Sequence, residues 1–201
     1  GSLITIEIEK GKRYEVVDGQ KRLTTLNLIL ARLRDHIEDS AAKAVLGKRV
    51  LPRNELTGKT ETPRLLVRRK DQSFFRRHVL DSQPLPLSAE RSKIDAPQQR
   101  LTENLEIIDS FLGQKDQKEL KFFANYLLMK VYVVFVKTES LKSAYRLFNV
   151  LNARGMSLSN ADLIKNTLFS ELGSQQNLSS ELEDRWLELE EIVGIELLDS
   201  F

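Results

Sequence analysis

The chain has 201 residues, of which 41% are hydrophobic and 30% charged, and its formal net charge is +2. This length allows one sizeable hydrophobic core, or one core with a helical appendage. The absence of cysteine excludes a disulfide-stapled secreted scaffold. No apolar run approaches the roughly 20 residues that a membrane-spanning helix needs. We therefore expect a cytoplasmic protein without a membrane segment.

The first elements are a β-hairpin and a helix. Residues 3–9 and 13–17 alternate in polarity around Lys10-Gly11-Lys12, a pattern typical of a hairpin. Apolar residues then recur every three or four positions from Leu23 to Ile37, which predicts a helix over residues 19–38.

The join between strand and helix carries Asp18, Gly19, Gln20, Lys21 and Arg22. Unpaired N–H groups and the positive end of a helix dipole favour phosphate. Gly19 would let a ligand approach the backbone, and Lys21 and Arg22 add positive charge. The alternative is an ordinary helix start that Asp18 caps.

The middle of the chain is rich in breaks. Residues 47–63 contain glycine, proline and asparagine and predict a loop, whereas residues 65–67 predict a short strand. A helix is expected from Asp71 or Gln72 to about Leu80. Residues 82–97, with three prolines and several serines, are the best linker candidate.

Two helices and a strand follow. We predict helices over residues 94–112 and 116–127 from their apolar spacing. Residues 129–136 form a nearly continuous β-branched run and predict a strand, which could pair with the hairpin. Such pairing would make the fold α+β.

The last third predicts further helices. One runs from about Ser140 to Asn152, ends at a turn containing Gly155, and precedes another that ends near Leu172. Residues 179–193 predict an acidic amphipathic helix.

Charge is unevenly distributed along the chain. Residues 43–77 hold eleven Lys or Arg against three acidic residues, whereas residues 179–201 hold eight acidic residues against one Arg. The basic segment could contact DNA phosphates. The alternatives are a solvated loop, or a partner for the acidic helix. Phe74 and Phe75 are expected to anchor a helix to the core rather than to stack on bases.

Two motifs resemble a known family. Residues 17–26, V-D-G-Q-K-R-L-T-T-L, resemble the V-D-G-Q-Q-R-L-T-T-L signature of the GmrSD restriction endonuclease N-terminal domain family. Residues 144–169 are similar to that family's helix ending in L-N-x-R-G, followed by L-x-x-x-D-L-I-K-N. A weaker block joins residues 63–66 to Phe74-Phe75. The family is related to the ParB/sulfiredoxin-like superfamily.

The resemblance implies a regulatory domain of a bacterial DNA-defence protein that binds, and could hydrolyse, a nucleoside triphosphate (GTP, ATP or CTP) with Mg²⁺. Asp18, Gln20 and Arg22 then carry the catalytic positions, while Gly19 and Lys21 bind the nucleotide. Lys21 stands where the family usually has Gln. A lysine can hold a phosphate, but it cannot accept a hydrogen bond and orient a water as an amide can.

The second motif is expected to complete the pocket. Asn152, Arg154 and Lys165 would bind the nucleotide from the other side, and Asp18 with Asp162 could hold the metal. From the residues alone, Asp162 is equally explained as a helix cap and Lys165 as a surface lysine.

We therefore predict an α+β, mainly helical, ParB/sulfiredoxin-like fragment with a small sheet and a helical bundle. Residues 1–81 form a truncated nucleotide-binding part, and residues 82–201 a helical part packed with it as one unit. With two histidines and no cysteine, we expect no HNH-type nuclease centre here, so a nuclease domain or subunit is an expected partner. The alternatives are a DNA-binding module without nucleotide chemistry, and a protein-interaction scaffold that uses the acidic helix.

Overall fold

The computed structural model describes residues 1–54 and 56–152, and beyond them single helical positions (Ile164, Thr167, Leu168, Leu182, Arg185, Trp186, Glu188 and Leu189). The chain divides into two compact units, Gly1–Gln20 with Tyr132–Phe201, and Lys21–Val131. These bounds differ from the division at residue 81, which stays a prediction. Within the described ranges, no helix combines the length and the apolar content that crossing a bilayer requires.

The structure is mainly helical with one small sheet, as predicted. The strands are β1 (Ser2–Glu9), β2 (Arg13–Asp18) and β3 (Val134–Thr138). The helices are α1 (Gln20–His36), α2 (Ser40–Val50), α3 (Gln72–Phe75, continued by a π-helix at Arg76–Leu80), α4 (Ala96–Gly113), α5 (Gln117–Lys130) and α6 (Leu141–Asn152). The ParB/sulfiredoxin-like assignment stays a prediction.

The sheet of the first unit has the strand order β2-β1-β3. β1 and β2 form the predicted antiparallel hairpin, and Gly11 adopts φ +70° in its turn. β3 pairs with β1 in parallel, with Leu3 opposite Phe135. The predicted pairing of the hairpin with a later β-branched strand is therefore confirmed.

The core of the first unit lies between this sheet and α6. Ile4 and Ile6 of β1 form a buried cluster with Ala144 of α6, against which Val17, Leu147 and Phe148 pack. β1 is paired on both edges, so its apolar residues lose water from the sides as well as from one face.

Glu7 ties the three strands together at the other end of the sheet. Its carboxylate accepts hydrogen bonds from the Gly11 N–H (2.8 Å), Lys137 Nζ (2.9 Å) and the Tyr14 hydroxyl (3.3 Å). These donors, the Gly11 N–H first, lower the pKa of Glu7, and the same hydrogen bond with Glu7 raises the pKa of Lys137.

The second unit has two buried clusters that share α1. Leu28 and Ala31 lead the first, whose other members come from α2, the α3–π helix and α4 (Val50, Leu51, Phe75, Val79, Leu80 and Leu105). Leu33 and Ile37 lead the second, which includes residues of α2, α4 and α5 (Leu46, Leu112, Leu120 and Ala124). The predicted apolar face of α4 is confirmed, since Leu105 and Leu112 are fully buried.

Four expectations for this region were wrong. Residues 40–50 form a helix that the sequence analysis missed, so the predicted loop at 47 begins only after Val50. Residues 65–67 form no strand. The predicted linker lies inside the second unit and contains a 3₁₀ helix at Ser88–Lys93. β3 begins at Val134 rather than at residue 129, because α5 continues to Lys130 and stops before the β-branched Val131.

Candidate functional site

The junction between β2 and α1 contains the first motif. β2 ends at Asp18, Gly19 is buried at φ +93°, and α1 begins at Gln20. A Cβ at residue 19 would lie 2.3 Å from Leu3 Cδ2 and 3.0 Å from the Ser2 carbonyl oxygen. The structure therefore gives Gly19 two structural roles, positive φ and close approach to β1. The predicted approach of a ligand to its backbone stays a prediction.

The start of α1 differs from the starts of three other helices in the described ranges. Asp39, Asp95 and Asp116 cap α2, α4 and α5, each accepting a hydrogen bond from the N–H of the third residue after it. The residue before α1 is Gly19, which has no side chain to cap with. The first amide groups of α1 therefore receive no side-chain cap from that position.

The first turn of α1 is also basic. It contains no acidic residue, and Lys21 and Arg22 are exposed. Cations at the positive end of a helix dipole are unfavourable for the helix itself. Helix stability does not explain this choice of residues, whereas attraction of an anion does.

Gln20 and Asp18 are already engaged. The Gln20 side-chain Nε2 donates to the Val16 carbonyl oxygen at 2.8 Å, which fixes the helix start to β2. Asp18 is half-buried, and Asp18 and Arg22 each make a polar or electrostatic interaction. The junction is a fixed corner rather than an open loop.

The second motif lies mostly outside the described residues. Asn152 is the last residue of α6, with only its backbone described, and Arg154, Asp162 and Lys165 fall outside. Their convergence with the first motif stays a prediction. No group of three or more His, Cys, Asp or Glu suited to a metal occurs among the residues that the structure describes.

The basic segment 43–77 contains two kinds of cation. Arg68 pairs with Asp71 (2.7 Å) and Arg76 with Asp81 (2.8 Å). Other cations are exposed and make no ion pair with a described residue (Lys43, Arg49, Arg53, Lys59, Arg64, Arg69 and Arg77).

Arg69 and Arg76 line an open groove of about 570 Å³, together with Pro63, Gln72 and Ser73. Three of these side chains can donate hydrogen bonds from one side of the helix that contains α3. The groove therefore suits an anionic group better than an apolar one.

The aromatic residues near this segment serve the core. Phe74 and Phe75 are buried, as predicted. His78, expected at the surface or in a local hydrogen bond, is buried too: its ring centroid lies 4.5 Å from that of Phe74, and Nδ1 lies 3.4 Å from the Gln83 carbonyl oxygen.

An ion network on α1 was not foreseen from the sequence. The buried Arg32 lies between Asp109 of α4 (3.4 Å) and Asp35 (3.6 Å), and His36 Nε2 lies 3.0 Å from the other oxygen of Asp109. The only signal was a charged residue, Arg32, next to the apolar positions of an amphipathic helix. Its partner on α4 is too distant in sequence to be inferred from any local pattern.

Comparison with known families agrees with the two motifs. A family model described as the GmrSD restriction endonuclease, N-terminal domain, matches residues 1–169. This range includes the β2–α1 junction, the basic segment and the 144–169 block. A search of curated proteins gave no match.

Proposed function

Because the chain belongs to the GmrSD restriction endonuclease N-terminal domain family, a restriction-type family of phage defence, we propose that it is a nucleotide-binding regulatory part of a DNA-defence protein. The β2–α1 junction is the proposed phosphate site. The observation that carries this proposal is the start of α1, which combines an uncapped first turn with Lys21 and Arg22. A nuclease domain or subunit is the proposed partner.

The residues of the junction fit a nucleoside triphosphate. The first amides of α1 would donate to phosphate oxygens, while Lys21 and Arg22 would neutralise charge. Asp18 would hold Mg²⁺, which supplies further charge neutralisation when bound. Asn152, Arg154 and Lys165 remain proposed contacts from the second motif. Their part is supported by the packing of α6 on the same sheet that ends at Asp18.

Hydrolysis would depend on Gln20. Its amide nitrogen is committed to Val16, which leaves Oε1 as the atom that could orient a water. Lys21 cannot share that role, since an ammonium group only donates.

Calorimetric titration of non-hydrolysable GTP, ATP and CTP analogues with Mg²⁺ tests the proposal. We expect saturable binding of one analogue, lost in Arg22→Ala and Asp18→Ala and weakened about tenfold in Lys21→Ala, as removal of one charged hydrogen bond predicts. The matched control is Lys118→Ala. Lys118 is the second residue of α5, as Lys21 is of α1, but α5 is capped by Asp116. Lys118→Ala should bind like wild type. Equal losses in both lysine variants, or no binding of any analogue, would refute the proposed site.

DNA binding through residues 43–77 is the second candidate function. The observation that favours it is the set of exposed cations without described ion pairs, with Arg69 in a groove of anion-binding character. Binding should weaken steeply with salt, since each neutralised phosphate contributes about −0.9 to the slope of log K against log salt.

Two double variants with equal net charge separate a specific surface from general attraction. Arg69→Ala with Arg77→Ala should reduce the salt slope by about 2. Arg68→Ala with Arg76→Ala should change it less, because those arginines are paired with Asp71 and Asp81. Fluorescence anisotropy with a short duplex measures both. Equal slopes for the two double variants would remove the support for a DNA surface here.

A further inference from the structure

The outer surface of the α4–α5 hairpin exposes five large apolar residues, which we name the α4–α5 stripe. Their exposed fractions are 67% for Ile107, 50% for Phe111, 72% for Phe122, 49% for Tyr126 and 60% for Met129. Single exposed apolar residues are ordinary on proteins, but a contiguous group of this size marks an interaction surface. Neither the nucleotide proposal nor the DNA proposal uses it.

Helix geometry places the stripe on one side of the hairpin. Ile107 and Phe111 are four residues apart on α4, and Phe122, Tyr126 and Met129 follow the same spacing on α5. On α5 these positions lie opposite Leu120 and Ala124, which are buried in the core. The stripe is therefore a second apolar face on helices whose first apolar face is already used.

Contacts join the two halves of the stripe. The rings of Phe111 and Phe123 lie 6.0 Å apart in an edge arrangement, and Lys115 Nζ lies 5.4 Å from the centre of the Phe111 ring. Phe111 is thereby held in place before any partner arrives. An ordered aromatic side chain loses less conformational entropy on binding than a mobile one.

The area of the stripe suits a protein partner. Five side chains that each expose half or more of an area of about 200 Å² give roughly 600 Å² of apolar surface. A standard interface buries about 800 Å² on each partner, and the polar rim would supply the difference. Phe, Tyr and Met are also the residue types that are enriched at interfaces.

We propose that the stripe binds the same stripe of a second copy of this chain, so that two α4–α5 hairpins form a four-helix interface. The argument for a second copy is charge. α4 has an exposed Glu103 beside the stripe, α5 has exposed Lys118 and Lys130, and none of the three makes an ion pair with a described residue. A surface with acid on one helix and base on the other complements itself.

A two-fold axis parallel to the helices satisfies this pattern. It sets α4 of one copy against α5 of the other, antiparallel, with both open ends of the hairpins on the same side. Glu103 and Lys130 both lie toward that open end, so they would meet across the interface. The other face-to-face arrangement sets α5 against α5 and brings lysines together, which is unfavourable.

Analytical ultracentrifugation of the 201-residue chain, from roughly 1 µM to roughly 200 µM, tests the proposal. We expect a concentration-dependent dimer. Phe122→Glu should raise its Kd at least about 30-fold, as the loss of a central aromatic residue predicts. The control is Leu56→Glu, which adds the same charge at a residue that is 96% exposed outside the stripe and should leave the Kd unchanged.

A strictly monomeric wild type over that range would overturn the proposal, and so would a dimer that Phe122→Glu does not weaken. Circular dichroism of each variant checks that it is folded, which is expected because the substituted side chains are exposed. None of these readouts involves nucleotide, so failure here would be distinct from failure of the proposed function.

Charge exchange tests the arrangement of the helices. Glu103→Lys should raise the dimer Kd by placing like charges together, and adding Lys130→Glu in the same chain should restore it. A double variant that dissociates further than either single variant would show that α4 does not face α5 of the second copy.

Discussion

At the scale of single residues, Gly19 couples the start of α1 to the first strand of the sheet. Its φ of +93° is costly for any residue with a Cβ, and that Cβ would also meet Leu3 and the Ser2 carbonyl. A glycine in a nucleotide-site motif is usually explained by the ligand. Here the fold requires it independently, so its presence alone is weak evidence for a site.

Gly19→Ala should therefore destabilise the protein by about 2–4 kcal/mol, the sum of left-handed strain and overpacking. Gly11→Ala is the matched control. Gly11 also has positive φ (+70°), but nothing lies within 4 Å of a Cβ placed there. It should cost only about 1–2 kcal/mol. Urea denaturation measures both, and equal losses would show that the close approach to β1 has no energetic weight.

Single residues also show where sequence reasoning about the site succeeds. The order Asp18, Gly19, Gln20 located a helix start, because turn residues followed by apolar periodicity are a local signal. The missing cap and the Gln20–Val16 hydrogen bond depend on backbone conformation, which residue types do not specify. Pairing of Arg32 with Asp109 depends on how two distant helices pack, and no local pattern encodes it.

At the scale of elements, Asp39 links two helices of the second unit. Its carboxylate caps α2 through the Ala42 N–H (2.8 Å) and pairs with Lys121 of α5 (2.7 Å). The hydrogen bond from Lys121, followed by that from Ala42, lowers the pKa of Asp39. A carboxyl whose pKa is lower in the folded state stabilises the fold above its unfolded pKa, and this contribution disappears as pH falls through the folded pKa.

Asp39→Asn separates the two roles, since Asn also caps helices but carries no charge. We expect the difference in unfolding free energy between wild type and this variant to be constant near neutral pH and to shrink below about pH 4. Lys121→Met should abolish the pH-dependent part of that difference. Urea denaturation across pH 2–7 tests this pair, and a difference that grows toward acid would contradict the assignment.

The C-terminal end of the π-helix is closed by α1. Arg34 donates to the carbonyl oxygens of Leu80 (2.9 Å) and Val79 (3.1 Å), and its Nη2 also bonds the hydroxyl of Ser82, which has φ +55°. An arginine from another helix thus satisfies carbonyls that the helix leaves unpaired. This contact fixes the segment that carries Arg76 and Arg77 against the core.

Elements with strong local signals were predicted correctly, and the errors have physical causes. α6 and the hairpin follow clear periodicity. α2 has only Leu46 and Val50 fully buried, so its apolar pattern is faint, and Gly47 inside it resembles a loop signal. Residues 65–67 have strand-like composition but no neighbouring strand to pair with, so they form no ladder.

At the scale of the whole molecule, the mainly helical α+β class was predictable because β3 has the composition of a strand buried between partners. Its parallel pairing with β1 was open, since composition does not specify direction. The α4–α5 stripe was not predictable at all. In sequence, Phe122 and Tyr126 look like core residues, and only the packing of Leu120 and Ala124 shows that the core lies on the opposite side.

The parallel pairing of β1 with β3 also has a consequence for biosynthesis. Thr5 bonds the Val136 carbonyl oxygen across 131 positions of sequence, so the sheet cannot close until the ribosome has released residues well past the middle of the chain. Lys21–Val131, by contrast, emerges as one uninterrupted stretch and can fold first. During that interval the nascent hairpin keeps one edge of β1 unpaired, which makes it the segment most in need of chaperone protection.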